Sequence, residues 1–236
     1  MIVTLDFVCL RLNPRTTVPE VMLQTREKEP EMGRDALVGG WIWEDAKDGG
    51  AYDEDLNQAV DRILSQKVGI RPTYIERAKP EGSVFRDPTL GWSVTLPHLC
   101  LFNRTDTEVL EERPGISWIS VQDVLEGACE LPFDHKNLVR SAFEVFLNKV
   151  RYSSILLYLL PQDVTIPEIV EAYKTLGVQV SKQTIFSRWV NSGLLTETGQ
   201  HKETGTRGKS PMLYRLNEST LSYFDSEIGK TYRAKD

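Results

Sequence analysis

A segment near the C-terminal end of the chain carries side chains that can bind a nucleic acid. Apolar residues recur there at helical spacing and predict one buried stripe. They are Ile185, Phe186, Trp189 and Val190. The opposite face carries amide, hydroxyl and cationic groups, from Lys182, Gln183, Thr184, Ser187, Arg188 and Asn191. Because such groups hydrogen-bond to base edges and phosphates, the pattern indicates a helix that contacts DNA.

Helix signals place this face in a helix-turn-helix. The run Thr165-Ile-Pro-Glu168 has an N-cap threonine, an early proline and a capping glutamate, and predicts a helix that ends at Gly177. Ser181 then caps a second helix, which ends near Gly193. Two short helices joined by a tight turn are typical of DNA-binding proteins when the second presents a basic and amide-rich face.

The sequence after the second helix predicts a wing. Residues 194–198 and 212–216 have the composition of strands, and the loop 201–211 between them is basic and contains glycine. Arg207 and Lys209 at its tip are expected to contact the sugar-phosphate chain. Gly-Lys-Ser in this loop is a partial match to a phosphate-binding loop. A winged helix that makes only protein contacts is an alternative.

Composition and charge support a folded protein with two different parts. The chain has 236 residues, of which 40% are apolar and 26% charged, and no apolar run approaches the roughly 18 residues of a membrane span. Residues 1–150 hold 17 basic and 25 acidic side chains, whereas residues 151–236 hold 11 and 9. Such a split favours nucleic-acid binding by the second part. Three widely spaced cysteines favour no disulfide framework, and we expect a cytoplasmic protein without a cofactor.

The two parts also differ in predicted elements. The first 130 residues read as short strands separated by turn residues, namely Ile2–Leu12, Glu20–Thr25, Leu37–Ile42, Tyr74–Lys79, Ser93–Phe102 and Trp118–Ser120. A long amphipathic helix is predicted over Asn137–Leu160. We therefore expect one domain over 1–150 and a second over 151–236.

One helix in the first part has a distinctive set of neighbours. It is predicted from Asp53 to Val68 and ends at Gly69, and it follows a strand that contains Gly39-Gly40. The segment resembles the Nudix box of a family of pyrophosphate hydrolases. Glu54 stands at the first glutamate of that pattern, Arg62 and Gly69 frame its second half, and Leu64 and Ile70 take its apolar positions.

The departures from the Nudix box predict what the domain has lost. Three glutamates of the family pattern are replaced by Ile63, Gln66 and Lys67, and its first glycine by Asp48. Carboxylates on one helix face hold magnesium, whereas an amide and an ammonium group do not. We therefore expect no metal site and no catalytic residue. Alternatives are an ordinary amphipathic helix capped by Asp53, and a hydrolase with carboxylates such as Glu54 and Asp61.

The whole layout resembles the Nudix-related transcriptional regulators of bacteria, the NrtR family. The linker Leu131-Pro-Phe-Asp-His135, the run Lys149-Val-Arg-Tyr-Ser153 and the triplet Arg86-Asp-Pro88 add to the resemblance. It implies an α+β fold, with an α/β/α Nudix sandwich around a mixed sheet followed by a winged helix-turn-helix domain. It also implies a homodimeric repressor of NAD metabolism genes, released from DNA by ADP-ribose or a related nucleotide. Some relatives control sugar-utilisation genes instead.

Particular residues follow for each binding role. Gln183 and Arg188 are expected to contact bases, since an amide suits adenine and a guanidinium suits guanine. Phosphate contacts are expected from Lys182, Thr184, Ser187, Arg207 and Lys209. In the ligand pocket, Arg26 and Arg86 could pair with a pyrophosphate, and Trp41 or Phe85 could stack on adenine. Three classes of function stay open: a ligand-responsive repressor, a hydrolase with a DNA-binding domain, and an adaptor that never binds DNA.

Overall fold

The chain divides into two compact units. The computed structural model describes residues 2–42, 54–87, 89, 91–111, 113–203, 210–217 and 221–228. The first unit comprises the residues up to Arg11 together with Glu20–Val145, and the second comprises Leu12–Pro19 with the residues from Phe146 onward. In the described part of the chain, no helix combines the length and the apolarity needed to cross a membrane.

A mixed sheet organises the first unit. Its strands are β1 (Ile2–Leu12), β2 (Pro19–Thr25), β3 (Asp35–Ala36), β4 (Val38–Trp41), β5 (Tyr74–Arg77), β6 (Glu81–Ser83), β7 (Ser93–Leu101) and β8 (Ile116–Ser120). The main path runs β3-β2-β1-β7-β5, with β4 paired to β1, β6 to β7 and β8 to β2. Strands β1 and β7 are parallel, and antiparallel pairing joins β1 to β4, β2 to β3 and β8, and β7 to β5 and β6. The predicted α+β class with a mixed sheet is confirmed.

The helices of this region are α1 (Leu56–Ile63), α2 (Arg104–Glu111), α3 (Val121–Glu126) and α4 (His135–Tyr152). Helix α1 continues as a π-helical turn over Leu64–Val68 and ends at Gly69, whose φ of 83° suits glycine. The apolar face of α1 packs into the core beside Leu5, Phe7 and Val38. This packing fixes the helix across the sheet next to β4, where the Nudix-like residues lie.

Two details of the predicted helices are wrong, and one helix was missed. The N-cap of α1 is Asp55 rather than Asp53, which lies outside the described residues, because the Asp55 carboxylate accepts hydrogen bonds from the backbone of Asn57 and Gln58. The long helix ends at Tyr152, since Ser153 is extended and caps a separate 3-10 helix over Ser154–Leu159. Helix α2 was not predicted.

The second unit contains a helix-turn-helix and a small sheet. Its elements after the 3-10 helix are β9 (Asp163–Thr165), α5 (Ile166–Thr175), α6 (Lys182–Ile185) with a π-helical continuation over Phe186–Val190, β10 (Leu195–His201) and β11 (Met212–Leu216). Thr165 and Glu168 form the predicted capping box, and Ser181 caps α6. Strands β10 and β11 pair as an antiparallel hairpin, and β9 completes the order β10-β11-β9. The predicted winged helix-turn-helix is confirmed.

Candidate ligand cavity and nucleic-acid interface

The Nudix-like helix holds its one matching glutamate in an ion pair. The Arg62 guanidinium donates to both carboxylate oxygens of Glu54, at 2.6 and 2.8 Å, and also to the carbonyl oxygen of Trp41 at 2.8 Å. The side chains of Glu54 and Arg62 are only 7% and 15% exposed. A largely buried carboxylate that is paired with a guanidinium has little capacity left for a metal cation.

The three positions that depart from the Nudix box have separate surroundings. Ile63 is buried and lies against Gly40. A Cβ atom added at Gly40 would be 3.0 Å from the Cδ1 atom of Ile63. Gln66 is exposed. The Lys67 ammonium donates to the carbonyl oxygen of Gly39, at the point where β4 passes α1. This position therefore holds a protein cation.

The environment of Lys67 disfavours additional positive charge. Burial, and then the nearby guanidinium of Arg26, lower the pKa of Lys67, while the carboxylates of Asp6 and Glu27 act in the opposite direction. An ammonium group that is already penalised by desolvation and by a neighbouring cation opposes the entry of a divalent metal ion.

A cluster of buried charges joins β1 to the start of α4. Arg86 is 7% exposed. Its guanidinium donates to Asp134 at 2.7 and 3.1 Å, to Asp6 at 3.1 Å and to the Thr4 hydroxyl at 3.3 Å. Asp134 immediately precedes α4, so this arginine ties the first residues of that helix to the sheet.

His135 completes the cluster as a neutral side chain. Its Nδ1 atom accepts a hydrogen bond from the Leu37 backbone N–H at 3.1 Å, and its Nε2 atom lies 3.8 Å from Asp6. Burial lowers the pKa of His135, against the opposing influence of the carboxylates of Asp6 and Asp134. The Nδ1 contact requires that the ring proton resides on Nε2, facing the carboxylate.

A surface cavity of about 320 Å³ opens beside this cluster. It is lined by Glu81, Gly82, Ser83, Phe85, Arg86, Asp134, Asn137 and Leu138. Two residues that the sequence assigned to the ligand, Phe85 and Arg86, thus share one cavity. Phe85 is 86% exposed, which leaves its ring free to stack on a planar group.

The other two predicted ligand residues lie elsewhere in the first unit. Arg26 donates from Nε to the carbonyl oxygen of Pro30 at 2.8 Å, and its guanidinium lies 4.9 Å from the ring centre of Phe133. Trp41 is 55% exposed at the end of β4. Sequence reasoning did not assign Asp134 or Asn137 to the cavity, because an acidic residue and an amide in a linker have no pattern that marks them as pocket residues.

The recognition segment Lys182–Val190 presents most of its predicted polar face. Lys182, Gln183 and Ser187 are exposed, and Thr184 and Arg188 are half-buried. Ile185 and Trp189 are fully buried, as predicted, but Phe186 is 40% exposed and is not part of the buried stripe. The π-helical turn that begins at Phe186 shifts the angular position of the residues that follow.

One ion pair lies within the small sheet and a second joins the wing to the helix-turn-helix. Arg215 on β11 pairs with Asp163 on β9 at 2.7 and 2.8 Å, and Lys202 pairs with Glu168 of the α5 capping box. The predicted phosphate contacts Arg207 and Lys209 lie outside the described residues.

Comparison with known proteins decides the family. No family model matches the sequence. Over 199 residues the chain is 31% identical to the ADPR responsive transcriptional repressor NtrR of Acinetobacter baylyi, an alignment that covers 84% of this chain and 75% of that protein. The chain belongs to the NrtR family of Nudix-related transcriptional regulators. The family resemblance inferred from the residues is therefore confirmed.

Solved structures of the NrtR family agree over the full length. The crystal structure of Shewanella oneidensis NrtR is 28% identical, with a TM-score of 0.81, and the match covers 97% of this chain and 100% of that one. The same protein complexed with a 27mer DNA gives 28% identity and a TM-score of 0.79, over 96% of this chain and 99% of that one.

Proposed function

We propose that this member of the NrtR family is a repressor of NAD metabolism genes whose second unit binds operator DNA and whose first unit binds ADP-ribose. The observation that carries the proposal is the exposed polar face of Lys182–Val190 on a winged sheet, in a chain that matches the DNA-bound Shewanella protein over 96% of its length. The effector is taken from the Acinetobacter relative, an ADPR responsive transcriptional repressor.

The DNA contacts are assigned to polar side chains of the recognition segment and of the wing. Gln183 and Arg188 read base edges in the major groove, and Lys182, Thr184 and Ser187 bind phosphates. Arg207 and Lys209 of the wing bind the flanking backbone. The protein acts as a homodimer, because two recognition helices about 34–36 Å apart match the half-sites of a palindromic operator. Such a protein works on bacterial DNA in the cytoplasm.

The effector site is the cavity beside Arg86. The adenine stacks on Phe85 and the pyrophosphate pairs with Arg86. Since Arg86 already contacts Asp6 and Asp134, a phosphate must compete with carboxylates for the same N–H groups. Trp41 and Arg26 contribute from neighbouring parts of the same unit. Ligand binding thus changes the contacts of Asp134, the residue that precedes α4.

The same surroundings argue against metal-dependent hydrolysis. Glu54 is paired with Arg62, and Lys67 stands at a position where the hydrolase pattern has a carboxylate, with its ammonium group donating to the Gly39 carbonyl of β4. We expect purified protein with magnesium to leave ADP-ribose intact. Release of AMP and ribose phosphate above the background of buffer alone would restore the hydrolase hypothesis.

A mobility-shift experiment tests the proposal. A labelled promoter fragment from the gene's own neighbourhood is titrated with protein, alone and with ADP-ribose, NAD or a sugar. The proposal predicts a complex that ADP-ribose dissociates and the sugar does not. A protein that binds no promoter fragment, or a complex that ADP-ribose leaves unchanged, contradicts it. A variant with Arg188→Ala and Lys182→Ala serves as the control that loses specific binding.

A further inference from the structure

We propose that the C-terminal segment Leu221–Ile228 is a fixed support that positions Arg188 for base recognition, with Ser226 and Phe224 as positioning residues. The inference rests on the proposed DNA-binding function and adds to it the residues that hold its central arginine. None of these residues lies in the helix-turn-helix or in the wing.

The contact itself is specific. The Arg188 Nη1 atom donates to the carbonyl oxygen of Ser226 at 2.6 Å, and Nη2 donates to the hydroxyl oxygen of the same residue at 2.5 Å. The guanidinium carbon lies 5.6 Å from the ring centre of Phe224, within range of a cation–π contact. Two parallel hydrogen bonds and one ring contact fix both the position and the plane of the guanidinium.

The arrangement leaves the other donor edge of Arg188 available. A guanidinium has five N–H groups in a rigid fork, and the pair formed by Nη1 and Nη2 faces Ser226. Within the part of the chain that the structure describes, Nε has no hydrogen-bond partner. The Nε and Nη2 edge therefore keeps the two N–H groups needed for bidentate contact with guanine.

The segment is anchored in the second unit and is not a loose tail. Ser154 and Ser222 exchange two hydrogen bonds, from Ser154 N to the Ser222 carbonyl at 2.8 Å and from Ser222 N to the Ser154 hydroxyl at 2.9 Å. The backbone N–H of Phe224 donates to the Tyr152 carbonyl at 2.7 Å. Ile228 is 1% exposed. If DNA displaced this segment from Arg188, all these contacts would be lost. We therefore infer that the segment stays in place and supports Arg188 when DNA binds.

Side-chain entropy explains why such support raises affinity. A free arginine side chain loses many rotamers when it is fixed on a base, and this loss weakens binding. The contacts with Ser226 and Phe224 impose part of that restriction before DNA arrives. The support should therefore strengthen specific binding, where Arg188 contacts a base, and should have little effect on nonspecific binding.

The test uses the full-length protein and fluorescence anisotropy with operator DNA. Ser226→Ala removes the hydroxyl acceptor, and Ser222→Ala is the matched control in the same segment, since the contacts given above for Ser222 use its backbone. We expect Ser226→Ala to weaken operator binding by about three- to tenfold, Ser222→Ala to leave it within twofold, and neither to change binding to unrelated DNA. Thermal melting with matching transitions confirms that both variants fold.

A double-mutant cycle separates positioning from general stability. In an Arg188→Ala background, Ser226→Ala should have no further effect, because the hydroxyl acts through that arginine. An equal loss of affinity in both backgrounds would overturn the inference, as would tighter operator binding by Ser226→Ala alone. Failure of the wild-type protein to bind any operator would instead refute the proposed function.

Discussion

The buried Arg86 cluster gives the sharpest stability prediction. The side chains of Arg86, Asp6 and Asp134 are 8%, 9% and 17% exposed, so Arg86→Met leaves two carboxylates in a poorly solvated place without their cation. Loss of one partner from a buried ion pair costs about 3–5 kcal/mol of unfolding free energy. With a urea dependence of about 2 kcal/mol per M, the midpoint of the first unit should fall by roughly 1.5–2.5 M.

Urea unfolding followed by tryptophan fluorescence measures this shift. The control is Arg71→Met, the same chemical change at the partner of Asp61, where the two side chains are 78% and 56% exposed and the pair contributes less than about 1 kcal/mol. If Arg86→Met does not fold, Arg86→Lys keeps the charge and should cost about 1.5–3 kcal/mol through lost hydrogen bonds. Equal midpoints for Arg86→Met and Arg71→Met would refute the argument.

Three further outcomes follow from the structure. Burial lowers the pKa of His98 and of His135 below the ordinary 6.5. The unfolded state therefore binds more protons than the folded state, and the free energy of unfolding should fall as the pH is lowered from about 7.5 to 5.5. The urea midpoint should depend less on pH when both histidines are changed to glutamine. Ser181→Ala removes the cap of the recognition helix and should lower stability by about 1 kcal/mol in thermal melts, while an unchanged melting temperature would count against the cap. Gly39→Ala places a Cβ 2.7 Å from the Leu5 carbonyl oxygen, so we expect a loss of more than about 2 kcal/mol by urea unfolding, and a neutral result would contradict the packing.

Local signals in the sequence were sufficient for the elements with strong capping or alternation. The capping box at Thr165 and Glu168, the cap at Ser181 and the glycine stop at Gly69 are all confirmed, because each depends on neighbours within a few residues. The strand β1 is confirmed with its predicted bounds, since its composition alone favours extended structure.

The features that sequence reasoning missed depend on distant contacts. Strand β6 is three residues long and exists through pairing with β7. The cluster around Arg86 joins it to Asp6, 80 positions away, and to Asp134, 48 positions away, so no local pattern announces it. Similarly, the support of Arg188 by Ser226 spans 38 positions and escaped a motif-based description of the helix-turn-helix.

The domain boundary illustrates the same limit. A change of pattern predicted a boundary within or at the start of the long helix, near residue 150, and contacts divide the chain inside that helix, between Val145 and Phe146; they also assign Leu12–Pro19 to the second unit, which no local pattern indicates. Helix α4 has no breaker at that point, so its sequence carries no mark of where the contacts change.

Coupling between ADP-ribose and DNA is the central claim, and calorimetry of ADP-ribose binding to free and to operator-bound protein tests it most directly. If the nucleotide weakens DNA binding by some factor, linkage requires that saturating operator weakens nucleotide binding by the same factor, of the order of 5–150. The account predicts this matched loss. Equal affinity of ADP-ribose for the free protein and for its DNA complex would contradict it.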